Sequence, residues 1–136
     1  MADRHGVARR FVGERGGATM VEFLAISLLC VAALLAVGQI AIWVWSRNVA
    51  VTAAHEGARV AAEAGRTLDE GSTRAKVLLR DGLGRGADGF TVQIDQQGEV
   101  VGVQASGDAP AIVPFLPKFP ITARATAFDE DEVFNP

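Results

Sequence analysis

From Val21 to Trp45 the chain reads VEFLAISLLCVAALLAVGQIAIWVW, and its one ionisable side chain, Glu22, stands at the very start. No other feature limits the fold so strongly. Phe23 to Trp45 is 23 residues, which as a helix extends about 35 Å at ~1.5 Å per residue. A hydrocarbon core of about 30 Å is crossed by such a length. A soluble helix this long would show a polar face, whereas this run offers only Ser27 and Gln39. Trp43 and Trp45 close the run, where indole rings favour a membrane interface. The expectation is a single spanning helix over residues 18–45.

Basic residues set its direction. Arg4, Arg9, Arg10 and Arg15 precede the run, while Arg47 is followed by mixed signs. The positive-inside rule then puts the N-terminus in the cytoplasm and residues 46–136 outside. A cleaved secretory signal is the alternative. Its apolar region is shorter, about 7–15 residues, though Ala32-Ala33 and Ala36-Val37-Gly38 supply small residues for a cut. Cys30, the only cysteine, lies inside the run and reads as a small apolar side chain. Lipid attachment there is rejected because Leu28 and Leu29 precede it, where a lipoprotein signal needs a small residue.

A carboxylate at the edge of a membrane helix needs a reason, since charge within a span is costly and usually functional. One reason is plain: an acid near a helix N-terminus is favoured by the helix dipole. The other comes from Arg15-Gly16-Gly17-Ala18-Thr19-Met20-Val21-Glu22-Phe23. This stretch resembles the class III signal of type IV pilins and pseudopilins: a basic leader, a glycine, then an apolar helix with Glu at its fifth position. A cut between Gly17 and Ala18 makes Ala18 position one and Glu22 position five; a cut after Gly16 makes Glu22 position six. The resemblance implies a prepilin peptidase that reads an extended glycine-containing segment on the cytoplasmic side. It also implies that Glu22 pairs with the freed amine of a neighbouring subunit during assembly, two charges neutralised in an apolar bundle. The leader departs from the pattern through Asp3 and Glu14, which dilute its basic charge.

After the span comes NVAVTAAHEGARVAA, residues 48–62. It is similar to a segment of TadE-like pseudopilins of the tight-adherence (Tad) pilus, at Ala53, Ala54, Glu56, Gly57, Ala58, Arg59, Ala61 and Ala62. The resemblance implies a membrane-held minor pilin, with a prepilin peptidase, other pilins and Tad assembly proteins as partners. The residues also make sense alone. Ala50, Ala53, Ala54, Gly57, Ala61 and Ala64 recur at three- and four-residue steps, and small stripes allow helices to approach closely. Thr52, Glu56, Arg59, Glu63 and Arg66 form the opposite polar stripe, with i,i+3 and i,i+4 ion pairs. Two uses of the small stripe stand open: packing on the chain's own domain, and packing between subunits along a filament.

Residues 46–136 are rich in Ala, Gly and Val, which suits a small core. A second helix is expected over Leu68–Leu83, with Asp69, Glu70 and Ser72 in its first turn. GLGRGADG, residues 82–89, reads as a flexible connector; without a preceding strand or a Gly-Lys-Ser/Thr ending it is no phosphate loop. Residues 90–95 alternate as a half-buried strand does. Gln96-Gln97-Gly98 reads as a turn into a returning strand with Val101, Val103 and Ala105 on one face, a hairpin. Pro110, Pro114, Pro117 and Pro120 punctuate an irregular loop, with Phe115, Leu116 and Phe119 expected to be partly buried or to form a partner patch. Ile121–Ala127 alternates as a third strand, and Asp129–Glu132 reads as a solvated acidic end. A hairpin followed by a final alternating strand is also similar to the end of TadE-like chains. The fold class is therefore α+β: a long N-terminal pilin-type helix continuing into an amphipathic helix, then a small antiparallel sheet of about three strands.

Net charge is −3, against the basic balance that nucleic-acid binding needs. His5 and His55 are expected on opposite sides of the membrane and cannot share a metal. There is no HExxH, no Gly-x-Ser-x-Gly elbow and no tyrosine. The expectation is a structural or binding role rather than an enzyme, with no cofactor, metal or small-molecule substrate. The rivals are an uncleaved, signal-anchored extracytoplasmic module and, third, an anchored enzyme.

Overall fold

The computed structural model describes the backbone of residues 6–129 and the side chains of residues 17–129. Asp3, Arg4, His5 and the acids from Glu130 onward lie outside the described residues, as do the side chains of Arg9, Arg10, Glu14 and Arg15. Two helices precede three strands: α1 (Gly6–Ala62), α2 (Leu68–Leu83), β1 (Thr91–Gln97), β2 (Val100–Ala109) and β3 (Phe119–Phe128). The α+β class and the strand number agree with the sequence reading.

The chain divides into two compact units, Met1–Gly38 and Gln39–Pro136. In the described part of the first, every large apolar side chain of the run faces outward: Phe23, Leu24, Leu28, Leu29 and Leu34 are all exposed. Residues from Gly17 along α1 are long and apolar enough to cross a membrane.

The second unit begins at Gln39, and the last turns of the apolar run pack in it. Gln39 and Ser46 are buried there, and Trp43 lies against the main core. Within this unit α1 ends at Ala62, and Gly65 (φ 73°) turns the chain. The start of α2 is held by a capping box: Thr67 Oγ1 accepts from the Glu70 backbone N–H at 3.2 Å, and the Glu70 carboxylate accepts from the Thr67 N–H at 2.9 Å. The Thr-x-x-Glu spacing is the sequence signature of this cap.

The two helices touch through residues too small to hold them apart. A Cβ built on Gly71 would stand 2.5 Å from the Ala61 Cβ and 2.6 Å from the Gly57 carbonyl oxygen; one on Gly57 would stand 2.9 Å from the Ala75 Cβ. At the other end of α2, a Cβ on Gly82 would fall 2.6 Å from the Val49 Cγ1. The missing side chain lets Val49 pack against this end of α2. The glycine-rich stretch expected as a flexible connector is instead ordered: α2 continues to Leu83, Gly84 (φ 54°) caps it, and Gly84–Gly89 forms a 3-10 turn.

The sheet is antiparallel in the order β1-β2-β3. Ile94 pairs with Val103 and Val92 with Ala105; on the other side Val103 pairs with Ala125 and Ala105 with Ala123. These residues share one face and join Ala50, Ala53, Ala54, Ala58, Ala75 and Leu79 in one core. A second cluster gathers Ala61, Ala62 and Val101 with Leu68. The hairpin turn sits at Gly98-Glu99 rather than at Gln96-Gln97-Gly98, since Gly98 (φ 61°) supplies the positive φ that a two-residue turn demands. The opposite face is polar, and there Arg124 Nη2 reaches Asp95 Oδ2 at 3.5 Å over Gly102. Pro120 lies in β3, an edge strand, as proline requires.

Candidate processing and packing segment

The first group of site residues belongs to the first unit. Gly17 and Ala18 are helical, being part of α1, and Ala18 and Glu22 are exposed. The extended backbone expected at Gly17 is thus wound into helix here. Among the described residues nothing lies within 4 Å of where a Gly17 Cβ would stand, so their packing does not require glycine at this position. Glycine within a helix costs about 1 kcal/mol relative to alanine, which lowers the cost of unwinding the helix at this position. Glu22 opens the apolar surface: from Phe23 to Ser46 the helix carries no charge.

The second group belongs to the second unit. Ala53, Ala54, Gly57, Ala58 and Ala61 are all buried. They face α2 and the sheet, so the small stripe is spent on the chain's own core. Its neighbour in the periodicity, Ala64, is exposed past the helix end. Glu56 and Arg59 sit on the outer side of the same helix. The Arg59 guanidinium bonds both Glu56 (3.0 Å) and Glu63, and Arg66 adds a contact to Glu70 at 3.4 Å. The network thereby runs from the end of α1 to the start of α2. Hydrogen bonding to Arg59, then its charge, holds the Glu56 carboxyl below the usual range, and Glu56 in turn raises the Arg59 guanidinium. The Thr67 backbone N–H is the main cause of a lowered Glu70 carboxyl. Among the described residues, no group of three or more His, Cys, Asp or Glu side chains could hold a metal ion.

The match of this part of the chain to a known family begins at Gly17 and ends at Arg59. Residues 17–59 are similar to TadE-like proteins. The family model, described as "TadE-like protein", covers the Gly17–Ala18 bond, Glu22, the apolar run and the small stripe as far as Arg59. The TadE-like segment therefore spans both units, while α2 and the sheet lie beyond it. No curated protein and no solved structure matches the chain.

Three residues in and around this segment have roles that the sequence alone does not show. In the sequence Gln39 is only a polar residue in the span. In the structure its Nε2 donates to the Pro110 carbonyl at 3.0 Å, and its Oε1 accepts from the Ile112 N–H at 2.9 Å. A lone amide in an otherwise apolar run was the available signal, because such a group persists only with partners. Gly71 and Gly82 were the others; their seven- and eleven-residue offsets from Leu78 and Gly71 are unremarkable without knowing what crosses α2. Of the two expectations for the proline loop, partial burial holds for Leu116 and Phe119, which are half-buried, and not for Phe115, which is 87 % exposed.

Proposed function

We propose that this chain is a minor pilin or pseudopilin of a Tad pilus system, structural rather than enzymatic. A prepilin peptidase cuts it between Gly17 and Ala18 on the cytoplasmic side, the helix that follows stays in the membrane, and residues beyond it fold outside. The observation that carries the reading is the TadE-like match starting at Gly17. Two details support it. The glycine has no packing role, which leaves backbone access as its reason. Ala18–Gly38 is 21 residues, about 31 Å of helix at ~1.5 Å per residue, so a bilayer fits between the cut and the start of the folded unit. In that frame Glu22 stands about one turn inside the hydrocarbon edge. There a carboxylate calls for a positive partner, and the amine freed at Ala18 of a neighbouring subunit supplies one. Other pilins and Tad assembly proteins are the partners, in a role that serves pilus assembly, adhesion or secretion.

The test is the intact mass of the protein from membranes holding its cognate peptidase, beside a Gly17→Leu variant. Loss of residues 1–17 from the parent and not from the variant is the expected result. A full-length product in both would leave a signal-anchored extracytoplasmic module and remove the pilin reading.

A further inference from the structure

Between Asp108 and Lys118 the chain reads APAIVPFLP, nine residues without a charge. Most of it is irregular, and it displays apolar side chains to the outside: Phe115 is 87 % exposed and Ile112 43 %. Pro114 and Pro117 are exposed as well. An apolar patch held out on a small loop marks an interaction site more often than an isolated exposed side chain does.

The loop's attachment says what it meets. Both amide atoms of Gln39 bind its backbone, at Pro110 and Ile112. Gln39 follows directly on Gly38, where the exposed apolar run of α1 ends. A bilayer that takes up that run reaches, along the chain, to the residue that holds the loop. The loop's backbone also suits such a place. Irregular chain next to hydrocarbon must have few unsatisfied polar groups. Pro110, Pro114 and Pro117 have no N–H to satisfy, Ile112 gives its N–H to Gln39, and Leu116 gives its own to Val113 at 3.1 Å. Lys118 follows the apolar stretch, 83 % exposed at its side chain and with its Nζ 3.8 Å from Asp108 Oδ2; its cation suits anionic headgroups.

We infer that the Pro110–Lys118 loop is a second membrane contact, which seats Ile112 and Phe115 among the lipids of the outer face. The inference rests on the reading of residues 18–38 as membrane-embedded. The loop thus fixes the folded unit against the bilayer surface, with Gln39 as the joint between the two contacts.

The test uses the full chain in vesicles of phosphatidylcholine and phosphatidylglycerol. Nitroxide labels are placed singly at Leu28→Cys, Phe115→Cys and Thr73→Cys, each with Cys30→Ser. Thr73 is exposed on α2, so its label is equally apolar but reports water. Collisional accessibility to oxygen, which concentrates in lipid, is compared with that to a water-soluble nickel chelate. The expected ratio at 115 is severalfold above that at 73 and below that at 28. A ratio at 115 equal to that at 73, with 28 in lipid, overturns the loop contact and leaves the spanning helix standing. A label at 115 closed to both reagents means a protein neighbour covers the loop, which also overturns it. Water accessibility at 28 removes the spanning helix, and the loop proposal with it.

Discussion

At the scale of single residues, the folded unit depends on side chains that are missing as much as on those present. Gly71→Ala puts a methyl group where the Ala61 Cβ and the Gly57 carbonyl already stand, 2.5 and 2.6 Å away. The helices must separate to admit it, an overpacking cost of about 1–3 kcal/mol, to be read from chemical unfolding of the full chain in detergent. Gly17→Ala, with open space around it, leaves that transition unmoved. Gln39→Leu keeps the volume and removes both bonds to the loop. A partly buried donor and acceptor left unpaired cost at most about 1–3 kcal/mol, and the local readout is faster hydrogen exchange at the Ile112 amide. The sequence showed where Gln39 was odd but not what it bound, because its partners stand 71 and 73 positions along the chain. Phe115 was misplaced for a related reason. An apolar residue in a loop is assumed to fold inward, and only the bonds at Pro110 and Ile112 reveal that this loop is pinned by its base.

At the scale of elements, local pattern served well wherever local energy decides. The bounds Leu68–Leu83 for α2 emerge from hydrophobic spacing and an acidic first turn alone, and the structure keeps them. Val101, Val103 and Ala105 occupy the inner face of β2 as their alternation demands. The hairpin turn was displaced by one position because Gly98, not the glutamines, meets its backbone requirement. The glycine-rich stretch reads as loose when its glycines stand only for flexibility, whereas the missing side chain of Gly82 lets Val49 approach. The capping box offers a test of the α2 start. Thr67→Ala removes the side-chain acceptor for the Glu70 N–H and costs about 1 kcal/mol, seen as a lower unfolding midpoint. The Glu70 half of the box depends on pH. Its carboxyl is lowered in the folded state, so its contribution is present above the unfolded carboxylate range and is lost as pH falls through the lowered folded value. In a thermal melt series taken into acid, the parent loses more stability than Glu70→Gln does.

At the scale of the whole molecule, the boundary of the folded unit is the quantity most worth measuring. Hydropathy merges the spanning run and the first turns of the folded unit, since Ile42, Trp43 and Val44 score as membrane residues on either side of the line. The contacts of Gln39, Trp43 and Ser46 separate them. A chain beginning at Gln39 is expected to unfold cooperatively. One beginning at Ser46 loses the Gln39 bonds and the Trp43 packing, and unfolds lower by about 4–8 °C for each kcal/mol lost in a unit of this size. Equal midpoints for the two would place the boundary at Ser46 after all. The core itself has a genetic consequence. Its fully buried positions are largely alanine, with Leu79, Val101 and Val103 the largest apolar side chains among them. A single-base transition turns any alanine codon into a valine codon. In this gene that substitution at Ala50, Ala53, Ala54, Ala75 or Ala105 forces two carbon atoms into occupied space, whereas Ala→Val along the outward-facing helix before Gly38 adds only more of what is already there. A library of random variants selected for a folded product should therefore be emptied of valine at the first set of codons and rich in it at the second.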